Sequence, residues 1–295
     1  MTKLNLTGQR FCKLFVIDEA ITNKKHDMEP VKFLHSVNTG DIISIMAGLQ
    51  HLYQNTGKKS ILYQRLNMPG DYFGQDHPLK KDGVMVTMTE KQFELLKPLV
   101  EAQEYIHSFE IFEGQKYDYS FDKMREGNPC NIPYGIISRW AFLTLPALSC
   151  DTSKPWIKTT EIPFENKYKG WTVVNFTSRY RNHLISYYTL KQYDNIIFSG
   201  TKGEHEVFCK ENNLDIPYLE INNFLELAIV LKESKFVLCN QSMIWNICDA
   251  GKFPRLLELS PHAPNCFPQG ENGWEFINQS SLEFYLDRLM NNKKI

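Results

Sequence analysis

Paired cysteines, long apolar runs and net charge are what this sequence has least of. Its seven cysteines are scattered, and because no two form a CxxC pair, the spacing of zinc and redox motifs is missing. No stretch approaches the ~20 apolar residues of a membrane span, and the first residues hold no long apolar segment. Scattered cysteines are typical of a reducing compartment. Composition therefore predicts a soluble, cytoplasmic protein without a transmembrane segment.

The net charge of −1 excludes a general electrostatic attraction to nucleic acid or anionic membranes. The hydrophobic fraction of 42% and the charged fraction of 23% are ordinary for a globular protein. A chain of 295 residues is long enough for two domains of about 150 residues each. Proline and charged residues concentrate between residues 150 and 170, so we predict domains at 1–155 and 156–295. Monomer and homodimer are both open.

Strand and helix patterns alternate along the first half of the chain. Apolar residues recur with helical spacing from Ile42 to Tyr53, between apolar runs at 31–37 and 60–65 that are typical of strands. Together these segments make a βαβ unit, and ligands on such sheets bind beyond the carboxyl ends of the strands. Further strands are expected at 11–17, 83–88 and 105–112, and helices at 90–104 and 136–145.

Polar and small residues follow both strands of the βαβ unit, where loops commonly carry ligand contacts. The candidates for the acceptor side of a site are Asn38, Thr39, Gly40, Arg65, Asn67 and Tyr72. Two roles are open for Asp41, which follows the first of these turns. It is either an acid that the helix dipole stabilises in the first helical turn, or a carboxylate at the rim of a crevice that takes a proton.

In the second half, short apolar runs again alternate with helical stretches, which favours a second parallel, doubly wound sheet. Strands are expected at 172–176, 195–199, 217–221, 235–239 and 255–259, and helices at 181–193, 203–212, 224–234, 242–250 and 282–290. The last helix could pack back across the first domain. The predicted fold class is therefore α/β, with two Rossmann-like doubly wound domains facing a cleft.

Three strand ends in this half carry groups suited to phosphate. Hydroxyl residues and arginines follow the first, where the hydroxyls could cap the next helix and the arginines could make bidentate contacts. A glycine turn follows the second, and a capped helix start follows the third. The residues are Thr177, Ser178, Arg179 and Arg181, then Ser199, Gly200, Thr201 and Glu204, then Asn240, Gln241 and Ser242. Each turn alone is equally well explained by a solvated loop, but three on one sheet edge favour a phosphate or nucleotide crevice.

These motifs resemble the glycosyltransferase-B fold, in particular enzymes related to bacterial heptosyltransferases, which use nucleotide-diphosphate sugars. Gly40 and Asp41 before an apolar helix look like the family's first loop, where an aspartate is the proposed base. The turn from Ser199 to Glu204 looks like the family's glycine-plus-acid turn. The resemblance spans most of residues 31–265 in order and spacing, with sparse identity.

The last of the three turns departs from the family pattern, which is Asp, a hydroxyl residue and Gly, with His three residues later. Here the turn is residues 240–242, and Trp245 stands where the His would be. Backbone N–H groups could still bind phosphate there, whereas any function of the His is lost. The departures indicate a divergent branch, and a phage or viral origin would fit.

The resemblance implies inverting transfer of a sugar from a nucleotide-diphosphate sugar to an acceptor hydroxyl, with no metal ion and no other cofactor. Asp41 would be the general base. Arg179, Arg181 and the neighbouring turns would bind the diphosphate, and the turn from Ser199 to Glu204 the nucleotide. No Asp-X-Asp motif stands at a strand end to hold a divalent ion.

The acceptor is left open between two classes. One is a saccharide or lipid-linked glycan, and the other is a hydroxymethylated base in phage-type DNA. The second would need a local basic patch, for which the candidates are Lys58, Lys59, Lys80 and Lys81. Two other functions stay open: a nucleotide-sugar epimerase of the same fold, and a non-catalytic nucleotide-sugar-binding protein.

Overall fold

The computed structural model describes residues 29–70, 80–124, 136–159, 162–263 and 265–295. The predicted strand at 11–17 lies outside these ranges. The first part of the chain holds β1 (Val31–His35), α1 (Thr39–Thr56), β2 (Ser60–Gln64), β3 (Lys80–Lys81), β4 (Val84–Met85), α2 (Glu90–Glu101), β5 (Ile106–Ile111), β6 (Tyr119–Ser120) and the short α3 (Trp140–Thr144). Four of these strands form a parallel sheet in the order β5-β2-β1-β6, and β3 and β4 form an antiparallel hairpin.

Helix α1 begins and ends where its sequence signals place it. Asn38 is the N-cap, and the side chain of Asp41, the third residue of the helix, bonds back to it in a capping box. Gly57 ends the helix in the left-handed conformation at φ 73°, where its N–H donates to the carbonyl of Tyr53 at 2.8 Å. The helix is buried over most of its length because apolar layers cover it on several sides.

The second part of the chain builds a five-stranded parallel sheet. It holds β7 (Thr172–Asn175), β8 (Ile196–Phe198), α4 (Lys202–Asn212), α5 (Phe224–Glu233), β9 (Val237–Cys239), α6 (Met243–Gly251), β10 (Arg255–Glu258), β11 (Gly273–Phe276) and α7 (Gln279–Met290). The strand order is β11-β10-β9-β7-β8. The predicted α/β class with two parallel sheets is therefore confirmed.

Several sequence predictions are wrong in detail. No helix follows β7, so Thr177 and Ser178 cap none; the segment 181–193 is a loop that ends in one 3-10 turn at Tyr188–Gln192. The strand expected at 217–221 is a single bridge between Tyr218 and Phe198. The run 83–88 forms only the second strand of the hairpin and a single bridge between Val86 and Pro69, and 136–145 forms a 3-10 turn and the short α3. Strands β6 and β11 were not predicted.

Helix α7 packs on the second sheet. Its buried Leu282 and Leu286 belong to one apolar cluster with Val174 and Leu238, and Lys235 Nζ donates to the carbonyl of Met290 at 2.6 Å. Within the described part of the chain, these contacts of α7 run to the second sheet. No helix within the described ranges combines the length and apolarity needed to cross a membrane.

The two sheets share one large apolar cluster. It includes Phe33 and Leu49 from the first part and Val173 and Val237 from the second. α1 packs against α6, and α2 packs against α5. Trp156 bonds the connecting segment to both parts. Its side-chain Nε1 donates to the carbonyl of Ile43 at 2.8 Å, and its backbone N–H donates to the carbonyl of Ala250 at 2.9 Å. The domain boundary near residue 155 stays a prediction.

Candidate functional site

The first turn of α1 lies directly against the first turn of α6. A Cβ added to Gly40 would lie 2.7 Å from Nδ2 of Asn246, so only glycine fits there without displacing that side chain. Ser44 Oγ lies 2.9 Å from Oδ1 of Asn246, whose Nδ2 donates to the carbonyl of Ser242 at 2.9 Å. Because α1 follows β1 and α6 follows β9, this contact joins the carboxyl edges of the two sheets.

Asp41 is 4% exposed in the first turn of α1. Its Oδ2 accepts the N–H of Asn38 at 3.3 Å. The structural role foreseen for this carboxylate, an acid in the first helical turn, is therefore confirmed. Its role as a base stays a prediction, and the two are compatible because the same turn faces α6.

Hydrogen bonds of Asn175, the last residue of β7, join the turns of the second sheet. Its Nδ2 donates to the carbonyl of Ser199 at 2.7 Å, and its Oδ1 accepts from Ser242 Oγ at 2.6 Å. Asn240 adds a second link, since its Oδ1 accepts the N–H of Thr177 at 3.0 Å. The three predicted turns after β7, β8 and β9 therefore do meet at one sheet edge.

The two arginines after β7 have different surroundings. Arg179 is half-buried with its guanidinium over the ring of Tyr180, 5.3 Å from the centroid. Arg181 is only 12% exposed, and its Nε lies 3.7 Å from Oε1 of the fully buried Glu258. Its guanidinium also lies 5.1 Å from the ring centroid of Phe176. The diphosphate role of Arg181 stays a prediction that this inward orientation does not favour.

Hydrogen bonds of buried side chains stabilise the turn before α6. Asn240 is fully buried, and its Nδ2 donates to the carbonyl of Arg179 at 2.8 Å. Gln241 Nε2 donates to Oδ1 of Asn265 at 2.5 Å. Ser242 caps α6, its Oγ accepting the N–H of Trp245 at 3.3 Å. Asn240 and Gln241 thus support the turn, and Ser242 lies at the helix start that would meet an anion.

The turn after β8 is compact. Gly200 has a φ of 156°, and a Cβ there would lie 2.9 Å from the ring of Phe198, so both conformation and space favour glycine. Thr201 is the N-cap of α4, and Oε2 of Glu204 accepts its N–H at 2.9 Å. A pocket of about 330 Å³ opens beside this turn; Lys167, Tyr168, Lys202, His205, Glu206, Tyr218 and Glu220 line it. Nucleotide binding by residues 199–204 stays a prediction.

On the acceptor side, Arg65 follows β2 and is held by several neighbours. Its Nη1 lies 3.6 Å from Oδ2 of Asp122, and its guanidinium lies over the ring of Phe112. Asn67 adopts a φ of 54°, and its N–H donates to the carbonyl of Met88 at 2.9 Å. Tyr72 lies outside the described residues. Asn38, Thr39 and Gly40 form the start of α1.

Four residues that organise this region had been assigned no role from the sequence: Ser44, Asn175, Asn246 and Glu258. Asn175 and Glu258 each end a buried strand, which was the available signal, since polar residues at that place face the sheet edge where ligands bind. Ser44 and Asn246 lie within helices. Their role is seen only in the structure, where these two side chains from different parts of the chain are in contact.

A comparison with protein-family models finds no match, and neither does one with curated protein sequences. Solved structures do match. One is the ADP-heptose lps heptosyltransferase II of E. coli, with a TM-score of 0.56 and 10% identity over 89% of this chain and 99% of that one. Another is the E. coli heptosyltransferase WaaC with ADP-2-deoxy-2-fluoro heptose, with a TM-score of 0.50 and 11% identity over 88% and 99%. The chain has the fold of these heptosyltransferases.

This fold is the glycosyltransferase-B fold that the motifs indicated, with two parallel sheets whose carboxyl edges face each other. At identities of 10–11% the likeness shows the fold alone.

Proposed function

We propose that the chain is a glycosyltransferase that moves a sugar from a nucleotide-diphosphate sugar to an acceptor hydroxyl. The observation that carries this is the contact between the first turn of α1, which contains Asp41, and the first turn of α6, a helix that begins at the Ser242 cap. The first-turn N–H groups of a helix lack partners within the helix and favour an anion. The shared fold supports the same division into acceptor and donor sides.

In the proposed reaction, the acceptor oxygen attacks the anomeric carbon while the bond to the diphosphate breaks, which inverts that carbon. Asp41 takes the proton of the attacking hydroxyl. Charge that grows on the leaving diphosphate is met by Arg179 and by the start of α6. We assign no step to a metal ion, so a chelator should leave the rate of the purified enzyme unchanged.

Of the two acceptor classes, the proposal favours a saccharide or lipid-linked glycan. Of the four lysines proposed for the basic patch that DNA would need, Lys58 is only 7% exposed, whereas Lys59 is exposed, as are Lys80 and Lys81 on the β3–β4 hairpin. Salt-dependent binding to hydroxymethylated DNA would restore the second class.

An epimerase and a non-catalytic binder are the competing functions. Incubation with nucleotide sugars alone separates the first, because an epimerase changes the sugar without any acceptor. Tight nucleotide binding with neither hydrolysis nor transfer would indicate the second.

The assay is transfer from a panel of nucleotide sugars by Asp41→Asn. Asparagine keeps an oxygen that can accept the N–H of Asn38, so the fold should persist while the rate falls by ~10²–10⁴-fold. Glu226→Gln is the matched control, because Glu226 also lies in a first helical turn and accepts a backbone N–H, that of Asn222, at 3.0 Å. Near-normal transfer by Asp41→Asn would refute the assignment of the base.

A further inference from the structure

A buried carboxylate lies beneath residues 177–182, which we call the arginine loop. Glu258 is the last residue of β10, and its side chain has no exposed area. Its Oε1 accepts the N–H of Asn182 at 2.6 Å, and its Oε2 accepts the hydroxyl of Tyr187. Arg181 supplies the countercharge at 3.7 Å. All of these partners lie in the arginine loop or shortly after it.

A carboxylate removed from water is costly unless donors surround it. Burial raises the pKa of Glu258 above its usual value, although the bonds from Tyr187 and Asn182 and the charge of Arg181 oppose that shift. The same interactions restrain the loop, because moving Asn182 or Arg181 away would remove a partner of the buried charge.

The arginine loop is therefore fixed at both ends. At its start, Asn240 bonds the N–H of Thr177 at 3.0 Å and the carbonyl of Arg179 at 2.8 Å. At its end, Glu258 holds Arg181 and Asn182. Between the two anchors, Ser178 is exposed and Arg179 is half-buried, whereas Arg181 is turned inward.

We propose that Glu258 is a positioning residue for the donor diphosphate. It holds the arginine loop in the conformation that presents Ser178 and Arg179 beside the start of α6. The inference rests on the proposed function and deepens it, since it names what sets the geometry of the diphosphate side. Glu258 itself does not touch the substrate.

The test compares Glu258→Gln with Asp249→Asn in the full chain. Asp249 is a matched control because it is also a buried carboxylate paired with an arginine of β10: its Oδ1 lies 2.6 Å from Nη2 of Arg255, the first residue of that strand. Arg255 thus lies at the opposite end of β10 from Glu258. Both substitutions neutralise a buried charge, but only one touches the arginine loop.

Calorimetry measures the affinities of ADP, GDP, UDP and CDP. The KM and kcat of transfer are measured as well, together with the amide hydrogen exchange of residues 177–188. For the diphosphate that the wild type binds best, Glu258→Gln should raise Kd by about tenfold or more and raise KM more than it lowers kcat. Exchange in the loop should rise. Asp249→Asn should change Kd by less than about twofold, whatever it does to stability.

If Glu258→Gln does not fold, Tyr187→Phe replaces it, because that change removes one donor to Glu258 and keeps the ring. A rise in Kd with faster loop exchange then supports the inference in the same way. An unchanged Kd in a folded Glu258→Gln or Tyr187→Phe overturns the positioning role and leaves the proposed function standing. If the wild type binds none of the four diphosphates, the proposed function fails and the positioning role fails with it.

Discussion

At the scale of single residues, the two arginines at positions 179 and 181 have different surroundings. Arg181 balances the buried Glu258, and its removal would leave that charge without a cation. We expect Arg181→Ala to lower the free energy of unfolding by about 3 kcal/mol, measured by urea denaturation. Arg288→Ala is the control, because Arg288 also lies over a neighbouring ring, that of Phe284, and should cost less than about 0.5 kcal/mol. A loss below about 1 kcal/mol for Arg181→Ala would contradict the buried pair.

Lys252 makes the free energy of unfolding depend on pH. Burial lowers its pKa from 10.5 to about 8, although Asp249 opposes the shift. Below pH 8 the lysine is charged in both the folded and the unfolded chain, and the full cost of burying the charge applies. Between about 8 and 10.5 the folded chain gives up its proton first, so the contribution of Lys252 to stability rises with pH.

The comparison of the wild type with Lys252→Met measures this effect. The free energy of unfolding of the wild type, taken relative to the variant, should rise by up to the order of 3 kcal/mol from pH 7.5 to about 10.5. A difference that stays constant over that range, or one that falls, would show that the lysine titrates alike in both states.

At the scale of elements, the contact between α1 and α6 leaves no room for a side chain at Gly40. Gly40→Ala would place a Cβ 2.7 Å from Nδ2 of Asn246, whose amide is bonded on both sides. We expect a loss of stability of about 1–2 kcal/mol and a fall in transfer rate, because the two helix starts move apart. Gly203→Ala in the first turn of α4 is the control: nothing lies within 4 Å of its added Cβ. Equal behaviour of the two variants in thermal unfolding would rule out this tight contact.

The elements also show which parts of the fold the sequence could predict. Strands β1, β2 and β9 and helices α1, α5 and α6 are foreseeable because their apolar spacing and caps agree with the packing they enter. The segment 181–193 has helical spacing but forms a loop. Backbone N–H groups there donate to side chains distant in sequence: Asn182 to Glu258, Ser186 to Gln279 and Tyr187 to Asn212. These tertiary bonds override the local pattern, and no local signal reveals them.

The residues of the candidate site also divide into those that the sequence could predict and those that it could not. Gly40, Asp41, Gly200 and Ser242 were predicted from turn and cap chemistry, which is local. The inward turn of Arg181 and the supporting role of Asn240 depend on which strands are neighbours, so they could not be predicted from the residues alone.

At the scale of the whole molecule, the two parts of the chain are joined by apolar packing as well as by the connecting segment. Phe33 and Val237, from different sheets, belong to one apolar cluster, and Trp156 bonds to both parts. We therefore expect calorimetric unfolding in one transition whose calorimetric and van't Hoff enthalpies agree. Two separated transitions would show that each part unfolds independently.

We propose that this packing creates a cleft in which a nucleotide-diphosphate sugar lies between Asp41 and the second-sheet turns. The most direct measurement is a structure of the chain with a nucleoside diphosphate or its sugar. We expect the diphosphate to lie against the arginine loop and the start of α6 at Ser242, with the sugar toward Asp41. A diphosphate bound elsewhere on the chain, or a cleft that stays empty at saturating ligand, would contradict it.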